Sequence, residues 1–169
     1  MKKTHRMGWL SIGIRQPESL ADHSFRTALI GYILAKMEGA DEERVLKLCL
    51  LHDLHETRTS DLNALNLRYL ARDVRKAIRE LAAGLPFGEE MVALSDEFER
   101  GKTREATIAR DADKLEMLAQ AKEYIDEGNP LARDWIRSAR GKLKTKSARE
   151  LARALERSSS AGWWRRYKF

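Results

Sequence analysis

An apolar run, Cys49-Leu50-Leu51, ends in His52 and Asp53, and His55, Glu56 and Asp61 follow within eight residues of Asp53. Imidazole nitrogens and carboxylate oxygens ligate divalent metals and carry protons. The chain has four histidines, His5, His23, His52 and His55. His23 stands in Ala21-Asp22-His23-Ser24-Phe25. A further carboxylate, Asp113, lies four residues before Met117 and five after Ile108, close to an apolar face. A carboxylate held near a core needs a partner or a metal. One histidine on a helix is ordinarily a satisfied core residue, and one helical aspartate is ordinarily solvated. Two imidazoles and two carboxylates converging from three helices would instead make a metal site of the kind that bundles build between helices. Adjacent helical residues such as His52 and Asp53 diverge by about 100°. They share an ion only where it lies between their directions, at a helix end facing other helices.

The elements that must position these groups follow from periodicity and punctuation. Residues 1–18 show no helical pattern. Pro17 biases Gln16 away from helix, and Ser19 reads as an N-cap. A helix is predicted over 20–38, with an apolar stripe of Leu20, Phe25, Ala28, Leu29, Tyr32, Ile33 and Ala35, closed by Gly39. Asp41 caps a second helix, with Glu42 and Glu43 in the first turn where the helix dipole favours them. Val45, Leu46, Leu48, Cys49, Leu50 and Leu51 make that helix apolar nearly all round, as if buried on several sides. Residues 62–70 read as a lid or a short helix. Further helices are predicted at about 71–83, 88–99, 102–127, 129–140 and 145–157, separated by Gly84, Gly88, Gly101 and Gly128. No strand-like alternation, repeat or linker interrupts them. The expected fold is all-α: one domain over 1–169, with residues 1–18 contributing to a cleft and 159–169 forming an aromatic and basic tail.

Composition limits the function classes. A hydrophobic fraction of 43% supplies a core for 169 residues, and a charged fraction of 34% with only three prolines suits helices. The net charge of +6 suits phosphorylated ligands, nucleic acid or an anionic surface. One cysteine excludes an intramolecular disulfide and fits a reducing compartment. No apolar stretch is long enough for a membrane span or a signal peptide, so a cytoplasmic protein is expected. The tail Gly162-Trp163-Trp164-Arg165-Arg166-Tyr167-Lys168-Phe169 pairs aromatic rings with cations. Trp163, Trp164 and Phe169 are expected to dock on the bundle or on a second copy; stacking on nucleic-acid bases is the other reading.

Three segments in order, "ESLADHSFRTA", "LLHDLHETRTSDL" and "ARDADKLEMLAQAKEY", resemble the HD-domain metal-dependent phosphohydrolases, and more narrowly their 5'-deoxynucleotidase branch. The likeness runs from Arg6-Met7-Gly8-Trp9 to about Tyr124. It implies an HD-type bundle whose metal ligands are His23, His52, Asp53 and Asp113. Asp111 lies about 200° around the helix from Asp113, and the match of Asp113-Lys114-Leu115-Glu116-Met117 favours Asp113. Glu56 takes the place of an acid that handles the protons of water or the leaving group; an ion pair with Arg58 is the bland alternative. Asp61 takes the place of a residue near the sugar hydroxyl, or else caps a helix. Trp9 takes the place of a tryptophan packed against the deoxyribose, or else belongs to the core. Some branch members carry an arginine directly before that tryptophan. Here the position is Gly8, which leaves Arg6, Arg15 or Lys114 to contact phosphate. His55 has no place in the ligand set, and Glu18 reads as a helix-terminal carboxylate.

The resemblance thus implies a hydrolase of (deoxy)ribonucleoside 5'-monophosphates, working with a divalent ion among Mn, Co, Ni, Fe, Zn and Mg, on a small nucleotide substrate, as a homodimer. Two alternatives stand beside it. One is a relative acting on cyclic nucleotides or nucleotide polyphosphates, against which the small number of histidines argues. The other is a non-catalytic nucleic-acid-binding helical module using the basic tail, with salt-dependent affinity.

Overall fold

The computed structural model describes residues 1–167, and its regular elements are helices, with one isolated β-bridge between His5 and Ser19. The α-helices are α1 (Met7–Leu10), α2 (Leu20–Glu38), α3 (Glu42–Leu51), α4 (Glu56–Thr59), α5 (Val74–Ala82), α6 (Gly88–Arg100), α7 (Arg104–Asp126), α8 (Arg133–Lys142) and α9 (Lys146–Arg157). Local chemistry fixes most of these ends. Ser19 and Asp22 form a capping box at the start of α2. Gly39 ends that helix in the left-handed region at φ 64°, where its N–H reaches back to Ala35 and Lys36. Asp41, Thr103 and Thr145 each accept a backbone N–H at the start of α3, α7 and α9.

Helix α7 is the axis. α2 and α3 pack on it and on each other, α8 and α9 pack on it as well, and α5 and α6 form a hairpin that meets the bundle through α6. The core runs through Leu34, Val45, Leu48, Ile108, Leu115 and Leu118. α2 and α3 approach closely at Gly31: a β-carbon there would stand 2.6 Å from Cys49 Sγ. That approach draws the α2 and α3 residues beyond it into one layer.

Several expectations change. Residues 1–18 are not wholly irregular, since Trp9 anchors the one-turn α1. The helix expected at 71–83 begins at Val74, after the Asp73 cap. The one expected at 129–140 divides into a 3-10 turn at Pro130–Ala132 and α8, because Asn129 caps a tighter turn. Residues 62–70 hold only a 3-10 turn, Asn66–Arg68. The α2 stripe is split. Leu20, Ala28 and Ala35 are buried with His23, Thr27 and Leu34, whereas Phe25 is 72% exposed and Leu29, Tyr32 and Ile33 face outward with it. The apolar residues of α2 therefore cover two faces, and the second stays largely exposed, with Leu29 and Ile33 lining a groove beside Leu151 and Leu155 of α9. Leu50 likewise stands out of the core, so α3 is not buried all round. Trp163 and Trp164 are largely exposed. They pack edge to face on each other, with ring centroids 5.7 Å apart, at 66% and 51% exposure. The expected docking of Phe169 lies outside the described residues. No helix is long and apolar enough to cross a membrane among the described residues.

Candidate active site

Three elements bring the polar groups together. The first turn of α2 carries His23, the C-terminus of α3 delivers His52 and Asp53, and the middle of α7 carries Asp113. His23 Nε2 lies 3.2 Å from His52 Nε2, and 3.5 Å from both Asp53 Oδ2 and Asp113 Oδ1. His52 Nε2 lies 3.1 Å from Asp53 Oδ2. A divalent ion with ligand distances of about 2.1 Å holds adjacent ligand atoms about 3.0 Å apart in an octahedron and about 3.4 Å apart in a tetrahedron. The spacings of 3.1 and 3.2 Å fall in that range, and the two of 3.5 Å lie just above it.

The outer nitrogens decide what this arrangement accepts. His52 Nδ1 donates to the Cys49 carbonyl at 2.6 Å, and His23 Nδ1 donates to Glu116 Oε2 at 2.5 Å. A carbonyl only accepts, so the His52 proton is on Nδ1 and Nε2 of the neutral ring presents a lone pair. Glu116 imposes the same tautomer on His23. Two lone pairs facing at 3.2 Å repel unless a proton or a metal cation lies between them; His23 takes the proton when no ion is bound, and the same donor set fits a divalent metal. The charges agree. Burial and Arg6 press the His23 imidazole down, but Glu116 and Asp113 outweigh them and raise it to about 10, so the surroundings call for positive charge there. Burial pushes Asp53 up, yet His52, Arg6 and His23 hold it well below the usual carboxylate range. Burial likewise opposes ionisation of Asp113, which Lys114 and His23 keep far down. Both carboxylates are anionic.

Arg6 closes the cluster from the N-terminal segment. Its Nη1 donates to Asp53 Oδ2 at 2.8 Å and lies 4.0 Å from Glu56 Oε2 and from Asp61 Oδ1. Those three carboxylates and Asp113 hold its guanidinium charged against the cost of burial. Glu56 does not share a continuous helical face with His52. The chain from 52 to 55 turns more tightly through i to i+3 bonds, and Glu56 begins α4. It is buried, pairs with Arg72 at 2.8 Å rather than with Arg58, and leaves Oε2 without a hydrogen bond. Burial, then Asp53 and Asp61, raise it to about 8 against Arg6 and Arg72. These surroundings favour its protonated form while no ion is bound.

The remaining residues sort by position. Asp61 accepts from Met7 N at 2.6 Å, so it sits at the start of α1 rather than of its own helix, and it faces the clefts on both sides of Arg6. Trp9 is 2% exposed; its indole donates to Glu18 Oε1 at 2.9 Å and packs on Tyr124. Glu18 is no surface helix terminus. It is enclosed, and burial and Glu116 raise it to about 7 against His23, Trp9 and Arg6. Lys114 pairs with Asp113 and lines the cleft with Trp9, whereas Arg15 lies in a separate cleft beside His5, Pro17 and Asp61. His55 is buried against Thr59, and burial lowers it to about 4, so it is neutral. Asp111 faces away from the cluster: it accepts from the N–H groups of Lys144 and Thr145 and from the Thr145 hydroxyl.

Four functional neighbours escaped the sequence reading. Glu116 orients His23, and Arg26 clamps Glu116, Gln120 and Glu123. Both stand three residues beyond a cluster member, Asp113 and His23, which is the same-face spacing of a helix. Arg72, which pairs with Glu56, lies in a non-periodic segment that carries no such signal. Trp135 packs on Trp9 in the wall of the cleft, at a centroid distance of 5.3 Å.

Residues 1–156 match the HD domain family. The chain belongs to the HD domain family. HD-family relatives include the protein named 5'-deoxynucleotidase HDDC2 in Dictyostelium discoideum, 32% identical over 92% of this chain and 91% of that one. The human protein of the same name is 28% identical over 95% of this chain and 81% of its own. Among solved structures, a conserved hypothetical protein from Pyrococcus furiosus superposes on this HD chain with a TM-score of 0.78 at 33% identity, covering 93% and 94% of the two chains. A Magnetospirillum magnetotacticum protein described as a "predicted metal-dependent phosphohydrolase" gives 0.67 at 25% identity, covering 86% and 79%.

Proposed function

We propose that the protein is a divalent-metal-dependent 5'-nucleotidase that hydrolyses deoxyribonucleoside 5'-monophosphates to nucleoside and phosphate. The observation that carries this is the facing pair of Nε2 atoms of His23 and His52, 3.2 Å apart and bracketed by ionised Asp53 and Asp113 beside Arg6 and Lys114. The curated relatives named above as 5'-deoxynucleotidases support the substrate class.

In this reading His23, His52, Asp53 and Asp113 hold the ion. Nitrogen and oxygen ligands without thiolate suit Mn, Co, Ni, Fe, Zn or Mg. When bound, the ion supplies Lewis-acid polarisation of the phosphoryl group and a lowered pKa for water. The chain's own residues do the rest. Arg6 and Lys114, already facing the cluster carboxylates, turn to the phosphoryl oxygens as the substrate arrives. Protonated Glu56 donates to the leaving 5'-oxygen through Oε2, which makes no hydrogen bond. Asp61 uses the oxygen not taken by Met7 N to accept from a sugar hydroxyl. Arg15 has no part in this reading, because it lines a different cleft from Arg6 and Lys114.

The same reading extends to assembly and compartment. Phe25, Leu29, Tyr32, Ile33 and Met37 form an exposed apolar row along α2 at helical spacing, which suits a self-complementary homodimer contact. The buried thiol of Cys49 suits a reducing cytoplasm. Phosphate release from paired ribo- and deoxyribonucleoside 5'-monophosphates, measured across divalent metals, tests the activity. Release is expected with metal and preferentially from the deoxy member; no release from any monophosphate, with metal occupancy verified, sinks it.

A further inference from the structure

The cleft beside the metal cluster has a volume of about 360 Å³ and two chemically distinct ends. Arg6, Asp61 and Lys114 stand at the end next to Asp53 and Asp113, while Met117 and Trp135 stand against Trp9 on its apolar wall. We propose that Trp135 is the platform on which the nucleobase of the substrate stacks. This rests on the function proposed above. A 5'-monophosphate with its phosphate at the charged end extends its sugar and base along the cleft. Trp9 is nearly enclosed and its N–H is taken by Glu18, so it offers the cleft only an edge. Trp135 is half-buried, and Trp9, tilted 35° to it, braces the ring from behind. Trp135 Nε1 meets no acceptor among the described residues. It lies 3.6 Å from where a β-carbon on Gly8 would stand, so the missing side chain of Gly8 leaves that N–H open to a ligand. An indole face with a free donor at its edge suits any base, since stacking depends little on base identity. The structure thus assigns Trp135 a binding role in affinity for the base, with weak discrimination among bases.

Deoxyribose 5-phosphate carries the sugar and the phosphate without a base. The ratio of kcat/KM for a deoxynucleoside 5'-monophosphate to that for deoxyribose 5-phosphate therefore isolates the base. Trp135→Ala is expected to lower the ratio about tenfold, and Trp135→Phe, which keeps a ring, to restore most of it. An unchanged ratio in Trp135→Ala overturns the proposal, because a purely structural role lowers both substrates together. Should Trp135→Ala not fold, Gly8→Leu covers the indole edge with the ring in place; a lowered ratio supports the platform and an unchanged one overturns it. Calorimetric titration with a deoxynucleoside 5'-monophosphate separates this from the activity itself. If wild type hydrolyses no monophosphate, the proposed function falls, yet about tenfold weaker binding by Trp135→Ala still supports the platform and equal binding overturns it.

Discussion

At the scale of single residues, the site depends on which nitrogen of each histidine carries the proton. Glu116 fixes this for His23, and a backbone carbonyl fixes it for His52. Glu116→Ala should therefore lower metal affinity by about 10- to 100-fold while the helices persist, as read by metal titration with circular dichroism alongside. Glu18 bears on stability in metal-free protein. Its folded pKa of about 7 lies above the ordinary 4.5, so the folded state binds the extra proton. Its contribution is fully present below about pH 4.5 and is lost as pH rises to about 7. Glu18→Gln removes that loss. In urea unfolding of chelated protein, the variant should gain about 2 kcal/mol on wild type between pH 5 and pH 8. The groups that meet here were legible as residue types: His23, His52-Asp53 and Asp113 carried the reading, and the structure brings the other three within 3.5 Å of His23 Nε2. Their supports were less so. Glu116 and Arg26 announce themselves only by helical spacing from cluster members, and Arg72 is placed by a fold of irregular chain that no period describes.

At the scale of elements, α7 carries two aspartates two residues apart with opposite duties. Asp113 faces the cluster, and Asp111 ties down the residues that begin α9. Asp111→Ala leaves three part-buried donors without their acceptor and should cost about 2 kcal/mol of stability, seen as a lowered Tm, with metal content unchanged. Metal loss in that variant would put the wrong aspartate in the ligand set. Most helix ends were legible because capping residues and glycines act locally, as Ser19, Gly39 and Asp41 do. The misses have tertiary causes. α1 exists because Trp9 is buried against Tyr124 and because Asp61, far along the chain, accepts from Met7 N. The tight turn at 52–55 redirects a chain whose pattern reads as continuing helix, and so places Glu56 against Arg6 instead of one turn above His52.

At the scale of the whole molecule, the all-α class was legible from composition and periodicity, whereas the division of surface from core was not. Periodicity marks apolar residues without saying which neighbour covers them, and the row from Phe25 to Met37 lies outside the core. If that row joins two copies, Leu29→Lys with Phe25→Glu should convert a dimer to a monomer in sedimentation equilibrium without lowering Tm; wild type that is monomeric at micromolar concentration removes the dimer. The central claim is that one ion, held between α2, α3 and α7, makes this HD protein a phosphomonoesterase. The most direct measurement is phosphate release from a deoxynucleoside 5'-monophosphate by chelated protein as a divalent ion is titrated back. Release should be absent at the start and rise to a plateau at one ion per chain. Full release by the chelated protein, or none at any metal concentration despite measured binding, would contradict it.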